Sequence, residues 1–306
     1  MMRVVSLVPS ITELLSDLGL EDEVVGITKF CIHPEHWFRT KRRVGGTKTA
    51  EVDSILALRP DLVLANREEN VREQIEALED LVPVYCSDVN DLASALAMIS
   101  EVGRLTGRSD RAAGLVESIR IGFEALKQPV GVRARFSEWL AADVAIPPRP
   151  GGRSAAGAGF GAAGAAGGGF GAAGSGAPQR AGSGAGVDIG RWTLAEPIPC
   201  AYFIWRNPWM VAGGDTFIHD MLQRAGYINL FREQNRYPTI DLPSLAAAGC
   251  ENVLLSSEPF PFRQQHIEEI RAVLPHVSFQ LVDGEMFSWY GSRLVQAPAY
   301  FKQIRS

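Results

Sequence analysis

Cys200-Ala-Tyr-Phe-Ile-Trp-Arg-Asn-Pro-Trp-Met-Val-Ala-Gly-Gly-Asp-Thr-Phe-Ile-His219 is the stretch from which the fold can be read. Its first six residues are an apolar run of the length of a buried strand. A loop with Pro208, Gly213 and Gly214 follows, carrying Trp209 and Met210. Asp215 then stands where an N-cap opens a helix through Met221 and Leu222. Strand, loop and helix in that order are half of a βαβ unit. Open parallel sheets bind ligands outside the carboxyl ends of their strands, where this loop belongs. Large aromatics and a Met there suit a flat apolar ligand, and packing into the core is the alternative use of the same side chains.

The same alternation extends in both directions. Apolar runs at residues 3–8, 24–28, 62–65 and 82–86 predict strands, separated by helical stretches. Ser10-Ile-Thr-Glu13 has the form of a capping box. The pattern turns helical over residues 89–126, as one helix or as two joined near Gly107 with Ser109 as the second cap. A helix of about 20 residues spans about 30 Å, enough to brace two lobes. Alternation returns after residue 198, with strands predicted at 200–205, 229–231, 252–256 and 279–282. Strands alternating with helices imply mostly parallel sheets covered on both faces.

Between these halves, residues 151–186 are almost wholly Gly, Ala and Ser. So little apolar side chain cannot offset ordering entropy, which predicts a disordered insertion. Gly159-x-Gly161-x-x-Gly164 follows no strand and is a product of that composition, not a dinucleotide site. The halves also echo one another. Residues 52–68 lie without gaps over residues 242–258, each a short helix, a break, a buried strand and then a glutamate, Glu68 or Glu258. Twin lobes facing each other would make a cleft, the usual address of a small-molecule site.

Composition narrows the function classes. A formal net charge of −5 offers no electrostatic case for nucleic acid. Cys31, Cys86, Cys200 and Cys250 are widely spaced, without the pattern of a zinc site or a disulfide framework. There is no apolar run long enough to span a membrane. Met1-Met2-Arg3 leads directly into a strand with no long apolar segment, so the chain as written is expected in the cytoplasm.

Val5-Ser-Leu-Val-Pro-Ser-Ile-Thr-Glu13, Leu18-Gly-Leu20, Val25-Gly-Ile27, Leu56-x-Leu58-x-Pro60-Asp61-Leu-Val63, Gly213-Gly214-Asp215 and Ala225-Gly226-x-x-Asn229 together resemble the Fe/cobalamin-type substrate-binding proteins of bacterial ABC importers, the helical-backbone class. The resemblance implies an α/β fold of two Rossmann-like lobes joined by a long rigid backbone helix, with the ligand between them. It assigns residues 1–92 to an N-terminal lobe, 93–128 to the backbone helix region, 129–197 to the insertion and 198–306 to a C-terminal lobe. It further implies a monomeric receptor, not an enzyme, with no required cofactor. The ligand would be cobalamin, a corrinoid or a similar metal complex, and the partner an ABC permease. Haem or a ferric siderophore is the alternative ligand. Such receptors work in the periplasm or at the cell surface, an address that needs a start other than the one written.

Among relatives the cobalamin binders are the most similar. Asn207-Pro208-Trp209, Tyr237-Pro238 and Phe287-Ser-Trp289-Tyr-Gly-Ser-Arg293 match stretches that supply pocket aromatics and an arginine, and Pro34 sits in the matching first-lobe loop. A macrocycle is a wide apolar plate with a polar fringe, so aromatic walls and one arginine suit it. The candidate ligand-binding residues are therefore Cys31, His33, Pro34, Trp37, Trp205, Trp209, Met210, Tyr237, Phe287, Trp289 and Arg293. Glu69, Glu73 and Glu258 lie near the places where the family docks on permease arginines. Cys31-Ile-His33-x-x-His36 offers thiol and imidazole ligands to a metal, with a loop packed by Trp37 and Phe38 as the alternative. Asp283-Gly-Glu285 after a strand is suited to orient Arg293 through an ion pair, with cation binding as the alternative. His33 with Glu285 would serve a chelatase-like enzyme or sensor on the same scaffold, the remaining function class.

Overall fold

Two five-stranded sheets collect the apolar runs in the computed structural model, which describes residues 1–127 and 197–305. The expected insertion at 129–197 lies outside the described residues, Pro197 excepted. The first sheet holds β1 (Val4–Ser6), β2 (Val24–Ile27), β3 (Arg42–Arg43), β4 (Leu62–Asn66) and β5 (Val84–Ser87) in the order β3-β2-β1-β4-β5. All of its pairings are parallel. Around it lie α1 (Pro9–Asp17), α2 (Glu35–Thr40), α3 (Val52–Ala57) and α4 (Arg72–Glu79). The long helical stretch is two helices, α5 (Leu92–Leu105) and α6 (Ser109–Glu124), separated at Gly107, whose φ of +68° is left-handed. Glycine adopts that conformation without the steric cost other residues meet.

The second sheet holds β6 (Ile198–Trp205), β7 (Met210–Val211), β8 (Tyr227–Asn229), β9 (Asn252–Ser256) and β10 (Ser278–Val282). β6 pairs in parallel with β8 and β9, and β10 extends β9, while the short β7 folds back antiparallel on β6. Its helices are α7 (Phe217–Arg224), α8 (Leu242–Ala247), α9 (Gln264–Arg271), α10 (Glu285–Ser288) and α11 (Ala297–Arg305), with a 3-10 turn at Ser292–Val295. The internal echo is real. α3 and β4 stand residue for residue where α8 and β9 stand, and the order β2-β1-β4-β5 reappears as β8-β6-β9-β10.

Four local expectations need correction. Ser10 lies inside α1, whose N-cap is Val8 without a side-chain bond, so there is no capping box. Pro9 opens that helix, because its missing N–H costs nothing at the first position. Asp215 is not the N-cap of α7. Thr216 is, its hydroxyl accepting from the His219 N–H, while the Asp215 carboxylate accepts from the Arg236 N–H. At α6 the N-cap residue is Arg108 rather than Ser109. The loop after β2 is only partly irregular, since α2 forms within it.

One apolar cluster runs through both lobes. It contains Leu14, Leu15 and Ile99 from the first and Tyr202, Met221, Phe287 and Leu294 from the second. α6 is the strut. Near its start the Arg111 guanidinium donates to the Leu18 carbonyl at 2.9 Å and Arg108 pairs with Glu23 at 2.6 Å. Near its end Phe123 meets Phe301 edge to face, and Gly122 lies against Pro298. Its 16 residues span about 24 Å, so one rigid element touches both lobes. α5 is tied across as well, its Leu92 N–H donating to Asp220 of α7 at 2.8 Å.

The lobes also meet backbone to backbone at Gly291. A Cβ on that residue would lie 2.4 Å from the Ser10 carbonyl oxygen of α1, far inside van der Waals contact. Gly291→Ala is therefore expected to destabilise the protein by about 1–3 kcal/mol through overpacking, read as a lower midpoint in urea unfolding.

Candidate functional site

The loops at the carboxyl ends of both sheets meet in a seam of charged and aromatic side chains. At its most sealed point the Arg293 guanidinium donates to both oxygens of Glu13 on α1, at 2.7 and 2.9 Å. Its other arm pairs with Glu285. Glu285 in turn lies 3.3 Å from His33 Nε2, so two groups of the second lobe sit between two of the first. Exposure rises along the seam. It is 5% and 6% at Arg293 and Glu13, 17% at Glu285, 26% at His33 and 27% at Glu68, where Tyr237 Oη donates to Glu68 across the lobes. Arg236, 49% exposed, lies 3.7 Å from the same carboxylate. The gradient defines a floor at Arg293 and a mouth at Glu68.

Trp289 occupies the floor. Its ring packs edge to face against His33 at 5.7 Å and beneath the Arg293 guanidinium at 4.7 Å. Its Nε1–H donates to Glu258 at 2.9 Å, and Ser288 Oγ donates to the same oxygen at 2.7 Å. The next residue, Tyr290, donates to Glu69 of the first lobe at 2.7 Å. Three consecutive residues thus address one carboxylate from each lobe. Burial pushes both carboxyls up to about 7, with the charges of Glu285 and Glu69 adding to the effect at Glu258. Burial alone would depress the Arg293 guanidinium, and its bonds to Glu13 with the charges of Glu285 and Asp283 more than offset that, so it stays charged.

The remaining second-lobe aromatics form a row in which Trp205, Trp209 and Phe260 are half-buried and Phe262 is buried in the second lobe's own apolar cluster. Trp205 packs on Phe260 at 5.7 Å, Phe260 on Phe262 at 4.8 Å, and Trp209 stacks parallel to Phe262 at 6.2 Å with Arg206 over its face. Met210 and Tyr237 are half-buried and, like Trp205, pack against the shared cluster. Phe260 and Phe262 are absent from the sequence-based set. They follow Glu258 in a Pro-punctuated loop without periodicity, so nothing local marked them.

Several candidates take other roles. Cys31 is fully buried, bonded to Thr12 and Thr28 at 3.0 and 3.1 Å, and burial pushes its thiol up to about 11. It is a core residue, not a metal ligand. Trp37 is fully buried too, donating to Glu21, and His36 turns outward to that glutamate at 2.9 Å. Cys31, His33 and His36 therefore do not converge, and among the described residues no set of three or more His, Cys, Asp or Glu is arranged to hold a metal ion. Phe287 is core, packed on Tyr202 and Phe301. Arg293 is an interlobe ion-pair partner rather than an exposed anchor. Glu69 and Glu258 face into the seam, which leaves Glu73 on α4 as the exposed member of the docking set. Pro34 and His33 stay together beside the seam, half-buried.

Comparison with known proteins bears on this arrangement. A family model described as "Periplasmic binding protein" matches residues 4–166. A vitamin B12-binding protein of Vibrio campbellii is 26% identical over 136 residues, covering 44% of this chain and 49% of the relative. The chain thus spans about half the length of the curated relatives it matches. The periplasmic vitamin B12-binding protein of Vibrio cholerae superposes with a TM-score of 0.65 at 14% identity, over 99% of this chain and 98% of that one. A periplasmic heme-binding protein of Pseudomonas aeruginosa superposes with a TM-score of 0.68 at 19% identity, over 99% and 92%. These similarities establish the two-lobed fold. Among the described residues no helix is long and apolar enough to cross a membrane.

Two predictions follow from the seam's charges. Arg293→Ala strands the buried Glu13 carboxylate and is expected to cost about 3–5 kcal/mol of folding stability, measured by chemical denaturation. Glu69 and Glu258 titrate near 7 in the fold against an ordinary 4.5, so they bind protons more tightly folded than unfolded. Their stabilising contribution is complete below about 4.5 and is lost as pH rises through 7, about 1 kcal/mol each between pH 6 and 8. His219 and His266, lowered by burial, act oppositely in that range, so the measurement is a difference. Melting temperatures of the wild type and the Glu69→Gln/Glu258→Gln variant are expected to converge near pH 4.5 and to separate progressively towards pH 8 in favour of the variant.

Proposed function

This chain belongs to the periplasmic binding protein family, and we propose that within it the protein is a non-enzymatic receptor for a planar metal complex, cobalamin or a corrinoid precursor. The observation that carries the proposal is the row Trp205, Phe260, Phe262 and Trp209 at the carboxyl edge of the second sheet, beside a seam formed with the first. Rings in that position offer a corrin plate an apolar face, while Glu68 and Tyr237 offer its fringe hydrogen-bonding groups. The curated relatives bear the name vitamin B12-binding protein, which favours a corrin over other plates.

The ligand is bound rather than transformed, and no further cofactor is required. The chelatase-like reading of His33 and Glu285 is set aside, because the family is one of solute receptors. Ligand capture outside the cytoplasmic membrane and delivery by a monomer to an ABC permease complete the proposal, in place of the cytoplasmic address expected from the N-terminal residues. Glu73 is the remaining exposed acid of the set expected at a permease. Haem is the second reading, favoured by the His33 imidazole at the seam, a side chain able to ligate iron.

Titration of the purified chain with cyanocobalamin, hemin and a ferric hydroxamate tests these readings, followed by tryptophan fluorescence and visible absorbance. Saturable quenching by cyanocobalamin alone is expected. A shifted Soret band with hemin and no response to cyanocobalamin would transfer the proposal to haem, and silence from all three would end it.

A further inference from the structure

Glu68 and Glu258 occupy equivalent positions, two residues beyond the equivalent strands β4 and β9, yet their surroundings differ. Glu258 is sealed by donors of its own lobe, Ser288 and Trp289, and its seat is a permanent part of the floor. Glu68 stands at the mouth. Its hydrogen-bond donor, the Tyr237 hydroxyl, reaches it from the opposite lobe. Tyr237 sits on a solvent-facing loop, next to Arg236, which adopts a left-handed φ of +57° and whose N–H is held by the Asp215 carboxylate. Tyr237 itself is half-buried against the shared apolar cluster, and its hydroxyl reaches Glu68 from there.

We propose that Glu68 is a ligand-binding residue that accepts a hydrogen bond from an N–H donor on the ligand's fringe, and that the Tyr237 hydroxyl competes with the ligand for it. An ionised carboxylate only accepts hydrogen bonds, so the ligand chemistry it selects is a fringe of donors, primary amides above all. A fringe of carboxylates, as on haem, has no proton to offer at neutral pH and is repelled. The inference rests on the corrinoid reading above and deepens it. It assigns Tyr237 a role different from that of a wall aromatic, because its hydroxyl and its ring act in opposite directions. Burial and the Glu68 charge raise the phenol well above 10, so it remains a neutral donor wherever the protein works. Lys48 donates to the Glu68 carbonyl oxygen at 2.6 Å and Arg236 lies beside the carboxylate. These cations keep Glu68 in place but are not the donors a ligand must displace.

A donor that occupies the binding acceptor lowers apparent affinity, and removing it restores the difference. The experiment is a cyanocobalamin titration of the wild type, Tyr237→Phe, Glu68→Gln and the double variant at pH 7.5, with melting temperatures confirming that each folds. Tyr237→Phe keeps the ring and is expected to tighten binding severalfold. Glu68→Gln is expected to weaken it by about tenfold, the scale of one charge-assisted hydrogen bond. In the Glu68→Gln background the gain from Tyr237→Phe should vanish, an outcome that a merely structural hydroxyl would not produce. Unchanged or weaker binding by Tyr237→Phe overturns the inference, as does an equal gain in both backgrounds, and this holds even if Glu68→Gln fails to fold. Wild type that does not bind cyanocobalamin overturns the corrinoid reading and this inference together. Wild type that binds while Tyr237→Phe shows no gain overturns this inference alone.

Discussion

A guanidinium held between carboxylates of two lobes is the constraint from which the rest of the arrangement follows. Arg293 reaches Glu13 in one direction and Glu285 in the other, with almost no exposure to water. Charges in that setting are costly to separate, since each would be left unpaired in a low-dielectric interior. The second lobe is thereby fixed against α1 at one edge, and the shared apolar cluster and α6 hold the same edge from behind. Farther along the seam, Glu68, Tyr237 and Arg236 meet in partial contact with solvent.

The twofold echo of the chain explains how both halves of the site arise. In each lobe a short helix, a break and a buried strand deliver a glutamate to the same place, just past the strand's carboxyl end. Parallel sheets concentrate loops at that end, so facing two such sheets brings two sets of loops together. The lobes then diverge in what they add. The second supplies rings, from Trp205 through Trp209 and on to Trp289. The first supplies acceptors, Glu13, Glu68 and Glu69, together with His33. Apolar faces thus come mainly from one lobe and hydrogen-bond acceptors mainly from the other, the division on which the proposed ligand reading rests.

The seam also shows why residue lists drawn from sequence patterns misplace some members. Arg293 and Phe287 lie four and two residues from Trp289, all within one recognisable stretch, yet one pairs with Glu13, one enters the core and one lines the floor. The turn between α10 and the 3-10 helix at Ser292–Val295 rotates successive side chains into different surroundings, and no local periodicity reports that. Cys31 and His33 differ in the same way, the first inside the lobe and the second at the seam. Glu69 and Glu258 face inward rather than outward because the groups that donate to them, Tyr290 and Trp289, come from a segment distant in sequence.

What the amino-acid order determined by itself was the local and periodic part. Apolar runs of strand length, the gapless repeat of residues 52–68 in 242–258, and the glycine break at Gly107 all depend on neighbours within a few positions. The two mostly parallel sheets followed from them, while the family rested on the resemblance of motifs such as Val5–Glu13 and Gly213–Asp215. Only the tertiary structure decided which polar groups face each other across the lobes. Glu13 reads as a cap and Glu68 as a repeat position until α1 and β4 are set against the Arg293 turn and the Tyr237 loop. Partners of this kind are hundreds of positions apart, and a charge carries no mark of whether it will be solvated or matched. That is settled by the packing that excludes water around it.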